Sequence, residues 1–235
     1  MKVEYGTFYD SDYWTGQKQY MGPGDVPENY HGPSLAWEGF QFVADAIAAL
    51  LPGKSLLDIG CGGGDLASRF LQHGYDAYGI DISNYAVEHC VEAMRGRLGV
   101  ADITTTPAIP YTYDLVMATD LLEHIYEEDL SRTFDWMMQL SNRWLFFCVA
   151  TAGSPDKGEF VLEKGATVPI EHETTAVSGH VNVRHWMYWI KFYENKGLKV
   201  RWDLMYKLQV MREACAPWRD CMGWNNQTTH ILEKT

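Results

Sequence analysis

Leu56-Leu57-Asp58-Ile59-Gly60-Cys61-Gly62-Gly63-Gly64-Asp65 decides the fold: an apolar strand runs directly into a glycine-rich turn, and 65–73 then reads as a helix. Glycine lets the main chain approach a ligand closely at the carboxyl end of a strand, where open α/β sheets bind their ligands. A dinucleotide fingerprint needs a third small residue where Asp65 stands, and no lysine follows to complete a phosphate loop. Asp58 and Asp65 flank the turn and would repel a pyrophosphate at the helix N-terminus, so the loop suits a cationic ligand.

Outward from this turn the hydrophobic period alternates. Segments 55–59, 75–80, 99–101, 113–119 and 144–149 read as strands, with helices over 84–95 and 129–141. A helix capped by Ser34 carries Leu35, Phe42, Val43, Ile47 and Leu50 on one stripe and stops at Pro52-Gly53. Continuous apolar strands separated by helices predict a parallel sheet covered on both faces, an α/β doubly wound fold. Beyond it, 185–195 reads as a helix with Trp186, Trp189, Ile190 and Tyr193 on one face. Segments 198–204 and 229–233 read as the last strands, the final one returning antiparallel. The expected organisation is an aromatic-rich arm or lid over 1–33 and one domain over 34–235. Substrate-side insertions are expected near 151–183 and 205–226. Trp136, Trp144 and Trp202 are expected in the core.

The second strand ends in Gly79-Ile80-Asp81-Ile82, which places a carboxylate where two ribose hydroxyls can bond to it. After the third, Asp102 precedes Ile103 and is positioned to accept from an exocyclic amine. In this order and spacing, Asp58 to Gly64, Asp81 and Asp114 to His124 resemble the class I S-adenosylmethionine-dependent methyltransferases. The resemblance covers roughly residues 35–197. It implies a seven-stranded Rossmann-like sheet with an antiparallel last strand and S-adenosyl-L-methionine as cofactor. It also implies a cofactor site of Asp58, Gly60, Cys61, Gly62, Asp81, Ile82, Asp102, Ile103 and Thr119.

The stretch after the fourth strand, Thr119-Asp120-Leu121-Leu122-Glu123-His124, would bring Asp120, Glu123 and His124 to one face if a helical turn followed at once. Together with His180, in Ser178-Gly179-His180-Val181-Asn182, they make an oxygen and nitrogen set suited to Mg²⁺, Mn²⁺, Fe²⁺ or Zn²⁺. The set resembles that of metal-assisted O-methyltransferases, with Asp120 where those generally carry Glu. Without a metal, His124 or His180 is the candidate general base, since imidazole titrates near neutral pH. Residues 179–183, followed by an aromatic helix, also resemble methyltransferases of bacterial sugar and surface-glycan pathways. The expected reaction is methyl transfer to a hydroxyl of a small molecule or saccharide. A small-molecule N-methyltransferase, a terminal-ribose RNA 2′-O-methyltransferase and a noncatalytic cofactor-binding partner protein are the alternatives.

Composition narrows the classes. The 235 residues are 46% hydrophobic, 14% aromatic and 21% charged, values of a packed globular protein rather than a disordered chain. The formal charge is −12, with 21 acidic against 8 basic side chains in residues 1–150. Polynucleotide affinity rests on phosphate neutralisation by Lys and Arg, so a nucleic-acid partner is disfavoured. No apolar run approaches the ~20 residues that span a bilayer, and residues 1–5 show no secretory pattern, which predicts a cytoplasmic protein. Five cysteines without a Cys-x-x-Cys pair predict free thiols.

Overall fold

Strand β1 (Ser55–Ile59) lies at the centre of the molecule, paired parallel with both β2 (Asp76–Asp81) and β4 (Tyr113–Thr119). A computed structural model describes residues 8–14, 39–153, 158–167, 179–215 and 227–235 of the chain. Strand β3 (Leu98–Val100) extends the sheet beyond β2, and β5 (Ser141–Cys148) lies beyond β4. Next comes β10 (Thr229–Glu233), antiparallel to β5 and to β9 (Lys199–Val200). The order is therefore β3-β2-β1-β4-β5-β10-β9, the expected doubly wound, seven-stranded sheet with its last strand reversed.

The apolar content of the strands follows from burial on both faces. Leu56, Leu115, Val116, Met117, Leu145, Phe146 and Phe147 are fully buried. One face is covered by α2 (Gly39–Leu50) and α3 (Asp65–Leu71), which pack on each other. Val43 and Ile47 of the expected stripe are buried, whereas Phe42 is 39% exposed; Ser34 and Leu35 lie outside the described residues. Helix α5 (Glu127–Leu140) buries Leu130, Phe134, Met137 and Trp136. Helix α6 (Trp186–Asn195) buries Trp189, Ile190 and Tyr193, with Trp186 half-buried and His185 as its N-cap.

Three expectations are corrected. The helix expected over 84–95 is α4 (Asn84–Glu88) followed by a separate 3₁₀ turn at Glu92–Met94. The strand expected over 198–204 stops at Val200, and α7 (Trp202–Ala214) takes its place and part of the expected 205–226 insertion. Trp202 at its start is 49% exposed, while the other two tryptophans assigned to the core, Trp136 and Trp144, are buried. Within 151–183 and just beyond it, β6 (Thr151–Ala152), β7 (Phe160–Val161) and β8 (Asn182–His185) form a small second sheet. Residues 154–157 and 168–178 of the first insertion and 216–226 of the second lie outside the described residues. Cys61, Cys90, Cys148 and Cys215 are free thiols, and Cys221 lies outside the described residues. No helix among the described residues is long and apolar enough to cross a membrane.

Candidate active site

The carboxyl ends of β1, β2 and β4 open into a cavity of about 340 Å³. All nine residues expected around the cofactor line it: Asp58, Gly60, Cys61, Gly62, Asp81, Ile82, Asp102, Ile103 and Thr119. Asp120, His124 and His180 line it as well. The glycine turn is tied to the next strand, because the Gly60 and Cys61 amides donate to the Ile80 carbonyl at 2.8 and 3.1 Å. Asp81 completes that tie: one carboxylate oxygen accepts from Gly62 N at 2.8 Å and the other from Ser83 N at 2.8 Å. Gly62 sits at φ +54°, and a Cβ there would meet the Trp14 ring at 2.9 Å, so only glycine fits.

The acidic residues differ in their surroundings. Asp65, at the start of α3, is paired with Arg69 at 2.9 Å. Asp58 is 2% exposed and its Oδ1 has no hydrogen-bond partner. Burial, and then the nearby Asp81, push its carboxyl up to about 8, and burial raises Asp81 also. Asp102 caps the 3₁₀ turn Ile103–Thr105, its Oδ1 accepting from Thr104 N at 2.9 Å while the side chain still borders the cavity. No lysine or arginine stands among the described lining residues. A buried, unpartnered carboxylate oxygen in such a wall is a place for a cationic group.

Beyond β4 the four residues expected to converge do not all meet. Asp120 adopts φ +51°, and the 3₁₀ turn begins only at Leu122, so the shared helical face does not form. Its carboxylate accepts instead from Cys148 Sγ at 3.6 Å, and it stands outside the group that Glu123, His124 and His180 make, whose ligand atoms lie within 4.8 Å of one another. Glu123 is fully buried, with one oxygen accepting from Ala150 N at 2.9 Å and Oε2 unpartnered. Burial and then Asp120 push its carboxyl up to about 8. Burial, and then His180, lower His124 to about 3, and burial lowers His180 to about 4. Near neutral pH both imidazoles are therefore uncharged, the form that accepts a proton.

Residues 8–14, the described part of the expected aromatic arm, border this cavity through Tyr9, Tyr13 and Trp14. Helix α1 (Ser11–Trp14) ends with Trp14 against the glycine turn, its Nε1 donating to Ser83 Oγ at 2.8 Å. At the other end Tyr9 Oη lies 2.8 Å from His124 Nδ1, and Tyr13 and Phe40 close the wall.

Residues 36–202 match the family model described as a methyltransferase domain, and the chain belongs to that family. Its doubly wound, seven-stranded sheet with the reversed strand is the class I methyltransferase fold. A ubiquinone biosynthesis O-methyltransferase of Paraburkholderia phymatum is 34% identical over 107 residues, 42% of this chain and 45% of that protein. The matched stretch thus spans less than half the length of that relative. The fold also resembles magnesium protoporphyrin IX methyltransferase of Synechocystis PCC 6803, with TM-score 0.53, 19% identity and coverage of 94% of this chain and 95% of the other. It resembles coclaurine N-methyltransferase too, with TM-score 0.56, 16% identity and coverage of 92% and 75%.

Proposed function

We propose that the protein transfers a methyl group to a hydroxyl of a small molecule or saccharide. The observation that carries this reading is the placement of two imidazoles, His124 and His180, on the same cavity as the glycine turn. When bound, S-adenosylmethionine supplies a methyl carbon already activated on a sulfonium. The chain's own work is then to bind, align and remove a proton. On this reading Asp58 and the Gly60 and Gly62 backbone meet the methionyl end, Asp81 the ribose and Asp102 the adenine amine. Ile82, Ile103, Cys61 and Thr119 form the flanking wall. His124 or His180 would take the proton of the acceptor hydroxyl as its oxygen displaced sulfur from the methyl carbon, the C–S bonding pair leaving with neutral S-adenosylhomocysteine, so charge would not build up on oxygen. The related O-methyltransferase of ubiquinone biosynthesis supports a hydroxyl as the acceptor.

The test is transfer of isotopically labelled methyl from S-adenosylmethionine to a panel of phenols, catechols and sugars. Turnover on a hydroxyl, falling about 10²–10⁴-fold in His180→Ala with cofactor binding kept, is the expected result. Methylation of amines alone would contradict the reading.

A second reading, metal assistance, is favoured by the clustering of Glu123, His124 and His180. One carboxylate and two imidazoles suit a divalent ion, which would lower the pKa of the acceptor hydroxyl. Elemental analysis of the purified protein decides it: one equivalent of metal that is lost in His180→Ala supports it, and full turnover in chelator opposes it.

A further inference from the structure

Two histidines face one cavity, and the reaction proposed above needs one proton acceptor. Their surroundings differ. His180 makes no hydrogen bond among the described residues and is half-buried on the cavity wall. The His124 ring packs edge-on against it, centroids 4.8 Å apart at 73°. His124 is 9% exposed, has Tyr9 Oη at 2.8 Å from its Nδ1 across 115 positions of sequence, and also meets the backbone of Gly179 and Asp120. We infer that Tyr9 is a positioning residue. Its hydroxyl donates to His124 Nδ1 and holds the ring proton on Nε2, leaving His180 to accept the acceptor's proton. The division of labour rests on the methyl-transfer reading above; the state of the His124 ring does not.

Acidity favours the phenol as the donor of this hydrogen bond. A phenol is a far stronger proton donor than a neutral imidazole N–H, and an unprotonated imidazole nitrogen is the better acceptor. The hydrogen bond at one ring nitrogen then decides which nitrogen carries the proton. Burial keeps water from replacing the phenol.

The contact is built rather than casual. Gly179, next to His180, sits at φ +84°, and a Cβ there would meet Tyr9 Oη at 2.7 Å, the Phe8 ring at 2.8 Å and His124 Nδ1 at 3.2 Å. Only glycine lets the tyrosine and the histidine meet at that point. Phe8, Tyr9 and Tyr13 pack ring to ring with centroids 4.9, 5.0 and 5.8 Å apart, and Trp14 fixes the far end of the segment on Ser83. Tyr9 is thus held from both sides while its hydroxyl reaches His124.

The test is a long-range ¹H–¹⁵N spectrum of the full chain labelled at histidine and saturated with S-adenosylhomocysteine. His124 is assigned from His124→Gln and compared between wild type and Tyr9→Phe. That substitution keeps the ring packing and removes only the hydroxyl. The expected result is a single Nε2–H tautomer in wild type, with Nδ1 resonating as an unprotonated nitrogen, and a tautomer mixture in Tyr9→Phe. A wild-type His124 protonated on Nδ1, or a spectrum unchanged by the substitution, would overturn the inference. If S-adenosylhomocysteine does not bind wild type, the methyltransferase reading fails, while the same spectra on the free protein still decide the role of Tyr9.

Discussion

Asp58 keeps an unpartnered carboxylate oxygen at the floor of the cavity, with its carboxyl raised to about 8. Near pH 7 the free protein therefore holds it as a neutral acid. A cationic ligand favours the carboxylate, so its binding expels a proton and its affinity climbs with pH until the group is ionised without help. We predict that S-adenosylmethionine affinity rises several-fold per pH unit from about 6 to 8 and levels off above. Asp58→Asn should flatten that slope. Calorimetry in buffers of different ionisation heat measures the proton release directly, and a pH-independent affinity in wild type would contradict the account. These residues were legible because glycines and acids at strand ends stand in a fixed linear order. Asp58, Gly62 and Asp81 are brought together by two adjacent parallel strands. Asp120 misled because a positive φ delays the turn that was expected to follow β4 at once. The arm's aromatics stand out in the sequence, but the partners of Tyr9 and Trp14 do not, since they lie 115 and 69 positions away.

At the scale of elements, the alternation of strand and helix was readable because every parallel strand must be covered on both faces. The misreading after Gly197 has a local cause. Lys199 and Val200 do pair with β10, but the chain then turns into α7, whose buried residues are Leu204, Met205 and Leu208 at helical spacing. Trp202, Tyr206 and Val210 lie on its exposed side, so apolar residues occur on both faces and blur the helical period. Helix α6 shows the opposite case, with Trp189, Ile190 and Tyr193 of one face buried. Trp189 is 0% exposed, and Tyr193 stacks on Phe134 and Phe147 at 5.4 and 5.8 Å. Trp189→Ala should cost about 3–5 kcal/mol, because the surrounding sheet cannot close the void. Denaturant titration checks this; a loss below about 1 kcal/mol would show that α6 is not part of the core.

Across the whole molecule, burial of ionisable groups sets how stability responds to pH. His124, His180 and His230 have folded values of about 3, 4 and 4 against an ordinary 6.5, lowered mainly by burial. Their contribution is complete above 6.5 and is lost as pH falls through the folded values. Asp58 and Glu123 are raised to about 8 from 3.8 and 4.5, so theirs is complete below those ordinary values and is lost as pH rises through 8. Between pH 6.5 and 8 only the second effect operates, and the melting temperature of the free protein should fall across that window. Cofactor binding should oppose the fall, because it favours ionised Asp58. Thermal melts with and without S-adenosylhomocysteine test both statements. A rising melting temperature of the free protein over the window would contradict the burial of these carboxyls.

The same cavity carries the central claim, that the glycine turn and Asp81 hold S-adenosylmethionine. Asp81 bonds both to the Gly62 amide and to Ser83, so its removal deprives the site of a ligand group and of the tie that shapes the loop. The most direct measurement is calorimetric titration of wild type and Asp81→Ala with S-adenosylhomocysteine. The account predicts one equivalent bound by wild type and a loss of at least about a hundredfold in affinity in the variant, the effect of removing charge-assisted hydrogen bonds from a buried site. Equal affinity in the two proteins would contradict it.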